Sequence, residues 1–209
     1  MEVLELKPIK DKKISLYLIE KENKELSNAE HENLLALLRK QKFNFTTIDL
    51  SDDDLKKIYL TPLAQFFDNF GIPYYYVNIP DYAKMHLLNE ISDKKEQIEE
   101  LQEEYEKLCS ESAEKESFKS QNLNSWIHLL KSEIEDKENH LNLKLRPLWI
   151  VKKILDIIKM INDDEINIIH FTRKELFSEL KKLFEVQNIK VINFESNKIM
   201  KKNSILISI

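Results

Sequence analysis

The chain of 209 residues contains a single glycine, Gly71, and a single cysteine, Cys109. Each scarcity excludes a class of chemistry. Dinucleotide fingerprints and phosphate loops need several glycines, because backbone N–H groups approach a phosphate closely only where no Cβ intervenes. The loop after the first expected strand, Glu20-Lys21-Glu22-Asn23-Lys24-Glu25, has none. That excludes a phosphate-loop NTPase and a nicotinamide-dependent dehydrogenase, and no cofactor is expected. One cysteine allows neither an internal disulfide nor a cysteine-based zinc cluster. Acidic neighbours disfavour a thiolate at Cys109, so it reads as a small residue at the edge of a helix seam. No apolar run approaches the roughly 20 residues that cross a bilayer. The first residues also lack the basic-then-apolar pattern of a secretory signal. A cytoplasmic protein without a membrane partner is the expectation. Neither G-x-S-x-G nor H-E-x-x-H occurs, and His31, His86, His128 and His140 are scattered over expected helices.

What is present is charge and periodicity. Between Asp81 and Leu145 the chain reads as two helices folded back on each other. Leu87, Ile91, Ile98, Leu101, Tyr105 and Leu108 follow alternating steps of three and four, the spacing of a coiled-coil seam, with a gap at Lys94. Facing residues of an antiparallel hairpin have position numbers of constant sum. Leu87 with Leu145, Ile91 with Leu141, Ile98 with Ile134, Leu101 with Leu130, Tyr105 with Ile127 and Leu108 with Leu123 all sum to 231 or 232. The turn then falls near Lys115–Glu116, and Lys94 meets Lys137 in a polar layer that Glu90, Glu133 and Asp136 are placed to screen. This stretch holds sixteen acidic and nine basic residues, net −7, whereas the whole chain is −5. Such a surface repels the phosphate backbone that supplies most nucleic-acid affinity. Nucleic acid is therefore unexpected at the hairpin, though charge leaves it open for the rest.

Outside the hairpin, strand and helix alternate. Lys13–Glu20, Phe43–Leu50, Ile72–Ile79, Ile166–Phe171 and Lys190–Glu195 read as strands, with an edge strand over Met1–Ile9 and a last strand over Ser204–Ile209. Ser27-x-x-Glu30, Ser51-x-x-Asp54 and Thr172-x-x-Glu175 have the form of helix starts. Thr61-Pro62 should kink or restart a helix, and Arg146-Pro147 should mark a break and a fresh helical start. Gly71 and Asn188 fall where helix C-termini need a left-handed residue. The pattern predicts an α/β fold: a Rossmann-like three-layer domain with a mostly parallel sheet, residues 1–80 and 146–209. The antiparallel coiled-coil hairpin, residues 81–145, is inserted between strands three and four.

Open α/β sheets bind ligands beyond the carboxyl ends of their strands. The pattern places Glu20, Asn23, Asp49, Asp52, Asp81, His170, Thr172 and Arg173 there. Acids converging at that end could hold a divalent cation, with His170 as ligand or acid/base, in a metal-dependent hydrolase such as a nuclease. Each also has a structural explanation: Asp49 as a strand end, Thr172 as a helix cap, His170 as a core histidine. On the hairpin, Trp126 is either seam packing or an exposed anchor, and Tyr105, Glu103 and Glu104 join it as candidate contact residues. The leading expectation is a non-catalytic interaction or assembly protein that uses the acidic hairpin as its contact arm. Hydrolysis at the strand ends is the first alternative. The second is self-association through the hairpin.

Overall fold

The computed structural model describes residues 6, 9, 12–22, 25–49, 61–111 and 117–194. Outside them fall most of the expected edge strand over Met1–Ile9, Asn23, the Ser51-capped helix with Asp52, the hairpin turn near Lys115–Glu116 and the expected last strand. In chain order the elements are β1 (Lys13–Glu20), α1 (Asn28–Lys40), β2 (Phe45–Ile48), α2 (Pro62–Asn69), β3 (Tyr74–Tyr76), α3 (Asp81–Glu111) and α4 (Phe118–Asn139). A π-helical turn (His140–Leu145), α5 (Arg146–Lys159), β4 (Glu165–Thr172), α6 (Lys174–Val186) and β5 (Lys190–Asn193) follow. The fold is mixed α/β, and the chain divides into two compact units. One comprises residues 1–78 and 147–209, the other 79–146.

In the first unit, the body, five strands form one sheet of order β3-β2-β4-β1-β5. Every pairing is parallel. From β1 the chain moves towards β3, and from β4 it moves the other way to β5. Crossovers of one hand that travel in opposite directions must place their helices on opposite faces. The two cores follow that logic. Leu34, Leu37, Leu63, Phe66 and Phe67 of α1 and α2 pack with Ile19, Ile48, Ile169 and Phe171 on one face. Ile150, Ile154, Ile158, Leu176, Leu180 and Phe184 of α5 and α6 pack with Leu16, Phe45 and Ile168 on the other. Two apolar faces explain why β1 and β4 are nearly unbroken apolar runs. The expected return to the sheet centre between strands three and four occurs, and β4 is the middle strand. In the usual dinucleotide-fold order, strand one lies beside strand two. Here β4 separates them.

Local signals account for most boundaries. Ser27 and Glu30 form a reciprocal capping box that starts α1. Thr61 caps α2 through the Ala64 amide, with Pro62 in the first turn. Gly71 and Asn188 have φ of 62° and 61°, the left-handed conformation that ends α2 and α6. Three expectations need correcting. Thr172 does not cap α6: it closes β4 in register with Glu20, and the N-cap is Arg173, which makes no side-chain cap bond. Arg146-Pro147 starts α5 as expected but without a break in the chain's helical path: Arg146 keeps helical angles (φ −61°, ψ −50°) after the π-helical turn. A widened turn accommodates a proline ring that would clash with the carbonyl four residues back. β3 is three residues instead of eight, and Tyr75 is exposed although its ring meets Phe45 edge-on.

The second unit is built from α3, 31 residues, and α4, 22 residues. They pack through Ile91, Ile98, Ile127, Leu130 and Ile134, with Leu101 and Tyr105 half-buried against them. Leu123 and Leu141 are also buried. Lys94 pairs with Glu133 and Lys137 with Glu90, so each lysine of the gap is neutralised by a carboxylate of the opposite helix.

Candidate functional sites at the strand ends and on the hairpin

At the carboxyl end of the sheet the register brings Glu20 of β1 beside Thr172 of β4. Asp49, one residue past β2, accepts a hydrogen bond from the Thr172 hydroxyl at 3.0 Å, and both are fully buried. Strand alternation puts Thr47, Asp49, His170 and Thr172 on the face that α5 and α6 cover. His170 Nδ1 lies 2.9 Å from Thr47 Oγ1 and 3.3 Å from the Thr47 carbonyl. Its ring meets Phe184 edge-on, and its Nε2 is buried without a hydrogen-bond partner. Burial pushes the imidazole down to about 3, against an opposing hydrogen bond to Thr47. His170 is therefore a neutral imidazole at physiological pH.

Beside this cluster lies a pair that sequence reading missed. Lys21, just past β1, donates to Glu30 Oε1 at 2.6 Å, with both side chains buried. Glu30 Oε2 accepts from the Ser27 amide and hydroxyl at 2.9 and 2.8 Å. Burial alone would raise the Glu30 carboxyl. The bonds from Lys21 and Ser27, with the Lys21 charge, hold it below the usual carboxylate range instead. The capping box was visible as a pattern in the sequence. That its glutamate also neutralises a buried lysine was not, because a lysine in a charged loop carries no mark of burial. Thr47 was missed as well, although a threonine two residues before Asp49 in an alternating strand shares its face.

Of the residues expected in the crevice, Asp49, Thr172 and His170 are brought together and buried. Glu20 is exposed, and Arg173 is half-buried at the start of α6. Asp81 belongs to the other unit, where it pairs with Lys84 at 3.0 Å. Among the described residues, no group of three or more His, Cys, Asp or Glu side chains is arranged to hold a metal ion. No described helix is long and apolar enough to cross a membrane.

On the hairpin the four candidate residues have different surroundings. Tyr105 packs against the seam. Glu104 pairs with Lys119 at 2.8 Å, and Glu103 lies 4.0 Å from Lys107 on its own helix. Trp126 is not seam packing: it is 52% exposed, with Leu129, one turn on, 47% exposed. Leu129 was not singled out from sequence, although the constant-sum register uses Ile127 and Leu130 and so leaves Leu129 off the seam. No protein family, curated protein or solved structure matches this chain.

Proposed function

We propose that this chain is a non-catalytic interaction or assembly protein that works in the cytoplasm. In this reading the body is a variant of the Rossmann-like three-layer plan with β1 and β4 exchanged. Residues 81–145 form an antiparallel coiled-coil insertion that serves as the contact arm. One observation carries the reading: Trp126 and Leu129 stand exposed on α4 although the hairpin's own seam is filled by other side chains. A large aromatic that keeps half its surface in water beside an apolar seam leaves that surface to a partner. Tryptophan is also the residue type most enriched among side chains that dominate binding energy. The net charge of −7 around it favours a basic protein surface and disfavours nucleic acid.

The test is site-specific photo-crosslinking of the full chain in its own cells, with the crosslinker at position 126 or 129 and, as control, at Ser178 on α6. The expected result is a discrete adduct from the hairpin positions. The purified partner should then bind the unmodified chain at least tenfold more tightly than the Trp126→Ala variant. Adducts only from Ser178, or a purified partner indifferent to Trp126→Ala, would remove the hairpin's role.

A further inference from the structure

Resting on the contact-arm reading, we infer that the hairpin docks a basic amphipathic helix of a partner protein, and that it does so along the face bearing Trp126 and Leu129. Seven-residue spacing places Lys119, Trp126 and Glu133 on one line along α4. Lys119 reaches Glu104 and Glu133 meets Lys94, so this line borders α3. Its counterpart on α3 runs through Glu90, Gln97 and Glu104, and Glu90 meets Lys137. One step further out on the same side stand Leu129 and Asp136 on α4, with Asp93 and Glu100 on α3.

The result is an apolar island flanked by carboxylates. Asp93, Glu100 and Asp136 are exposed and enter no ion pair among the described residues. The opposite side of the seam is more balanced, with Lys95 paired to Glu138 there. A shallow valley between two helices offers no strand edge, so a third helix suits it better than an extended peptide. From Asn122 to Asp136 is roughly 20 Å at 1.5 Å per residue, which fits a segment of about four turns. Such a segment would set apolar residues at i, i+4 and i+7 over Trp126 and Leu129, with lysines or arginines at its flanks. A second copy of this chain is the wrong occupant, because two hairpins of net −7 repel.

The probe is a synthetic 18-residue peptide of leucine and lysine with its leucines on one helical face, compared with a scramble of the same composition. Calorimetry on the unmodified chain measures affinity. Trp126 emission in a Trp149→Phe background reports the location. The amphipathic peptide should shift that emission to the blue and bind at least tenfold more tightly than the scramble. Leu129→Ala should weaken it about tenfold. The triple change Asp93→Asn, Glu100→Gln and Asp136→Asn should weaken it several-fold and flatten its salt dependence.

Equal binding of both peptides, or indifference to Leu129→Ala, would reduce the effect to charge attraction and overturn the proposal. So would dependence on Tyr82, Met85 and Leu88, the exposed apolar line at the start of α3, or a homodimer that Trp126→Ala dissociates. If the peptide fails while crosslinks at 126 and 129 persist, this partner chemistry falls and the contact arm stands. If both fail, both readings fall.

Discussion

The body and the hairpin hide apolar side chains in different ways. In the body, Phe45, Phe67, Phe171 and Phe184 are completely buried between a sheet and the helices on its two faces. In the hairpin the seam lies between two helices, and even its most buried side chains, Ile91, Ile98, Ile127, Leu130 and Ile134, keep a few per cent of their surface. Polar groups divide the same way. The body buries His170, Asp49 and the Lys21–Glu30 pair, whereas the hairpin's ion pairs remain partly in water. A layered fold isolates what it encloses, and a two-helix unit does not. The two should therefore respond differently to the same kind of change. Each carries a tryptophan reporter, Trp149 on α5 and Trp126 on α4, so denaturation can follow them separately.

The largest difference should come from cavities. Phe171→Ala removes a ring from a site with no route to collapse, at a cost of about 3–5 kcal/mol. Ile98→Ala, on a seam beside solvent, should cost nearer 2 kcal/mol, the low end for such truncations. Urea unfolding followed at Trp149 and Trp126 measures both. Equal costs would mean that the hairpin is as well enclosed as the body.

Charge removal comes next. Lys21→Met leaves the Glu30 carboxylate buried without its lysine, and breaking a buried pair in this way costs about 3 kcal/mol. The Ser27 bonds to Glu30 remain, which sets the loss at the lower end of the range. Adding Glu30→Gln should recover a large part of it, and a double-mutant cycle read at Trp149 would show the recovery as non-additivity. Simple additivity would mean that the pair is solvated.

Acid should loosen the body before the hairpin. His170 titrates at about 3 when folded and near 6.5 when unfolded. Between those values the unfolded chain binds the extra proton, so stability falls as pH falls, by about 1.4 kcal/mol per unit well inside the window. Above pH 6.5 the contribution is constant. On the hairpin, the bond from Lys137 holds the Glu90 carboxyl below its usual range. Its contribution is present above the ordinary carboxylate pKa and is lost only as pH drops through the lowered one. His170→Asn keeps a donor near Nδ1 for Thr47 and has no titrating group. Its stability should be flat between pH 6 and 4.5, where the parent declines. Parallel profiles would show that His170 is solvated.

How much of this was readable in the sequence follows the same division. A two-helix seam is a one-dimensional pattern. Its pairs, from Ile91 with Leu141 to Leu108 with Leu123, could be written down from position numbers, and the buried apolar residues of α3 and α4 lie along them. The sheet is two-dimensional. Five strand positions and several caps could be read locally, but the placing of β4 between β2 and β1 depends on long-range pairing that no local pattern encodes. Thr172 shows the consequence. With Glu175 it has the spacing of a capping box, yet its backbone pairs with Glu20 and its hydroxyl serves Asp49, so tertiary partners displaced the local role. Trp126 was ambiguous for a related reason. A tryptophan beside a seam position reads first as packing, and only the neighbouring helix shows how much of it stays exposed.

The smallest effect, and the sharpest test of the contrast, is the polar layer of the hairpin. Replacing Lys94 and Lys137 together by methionine removes both ion pairs and completes the apolar seam. In the body, losing Lys21 strands a buried carboxylate. Here Glu133 and Glu90 keep 43% and 36% of their side-chain surface in water, so they resolvate once their lysines are gone. Half-exposed pairs of this kind contribute about 0–1 kcal/mol each, and two methionines add apolar contact across the seam. The double variant should fall within about 1 kcal/mol of the parent, on either side, when unfolding is read at Trp126. A loss of several kcal/mol would show that the layer is enclosed as the body's pair is, and the distinction between the two regions would not survive it. A gain accompanied by dimers on sizing would give the lysines another role: keeping a continuous apolar seam from pairing with a second hairpin.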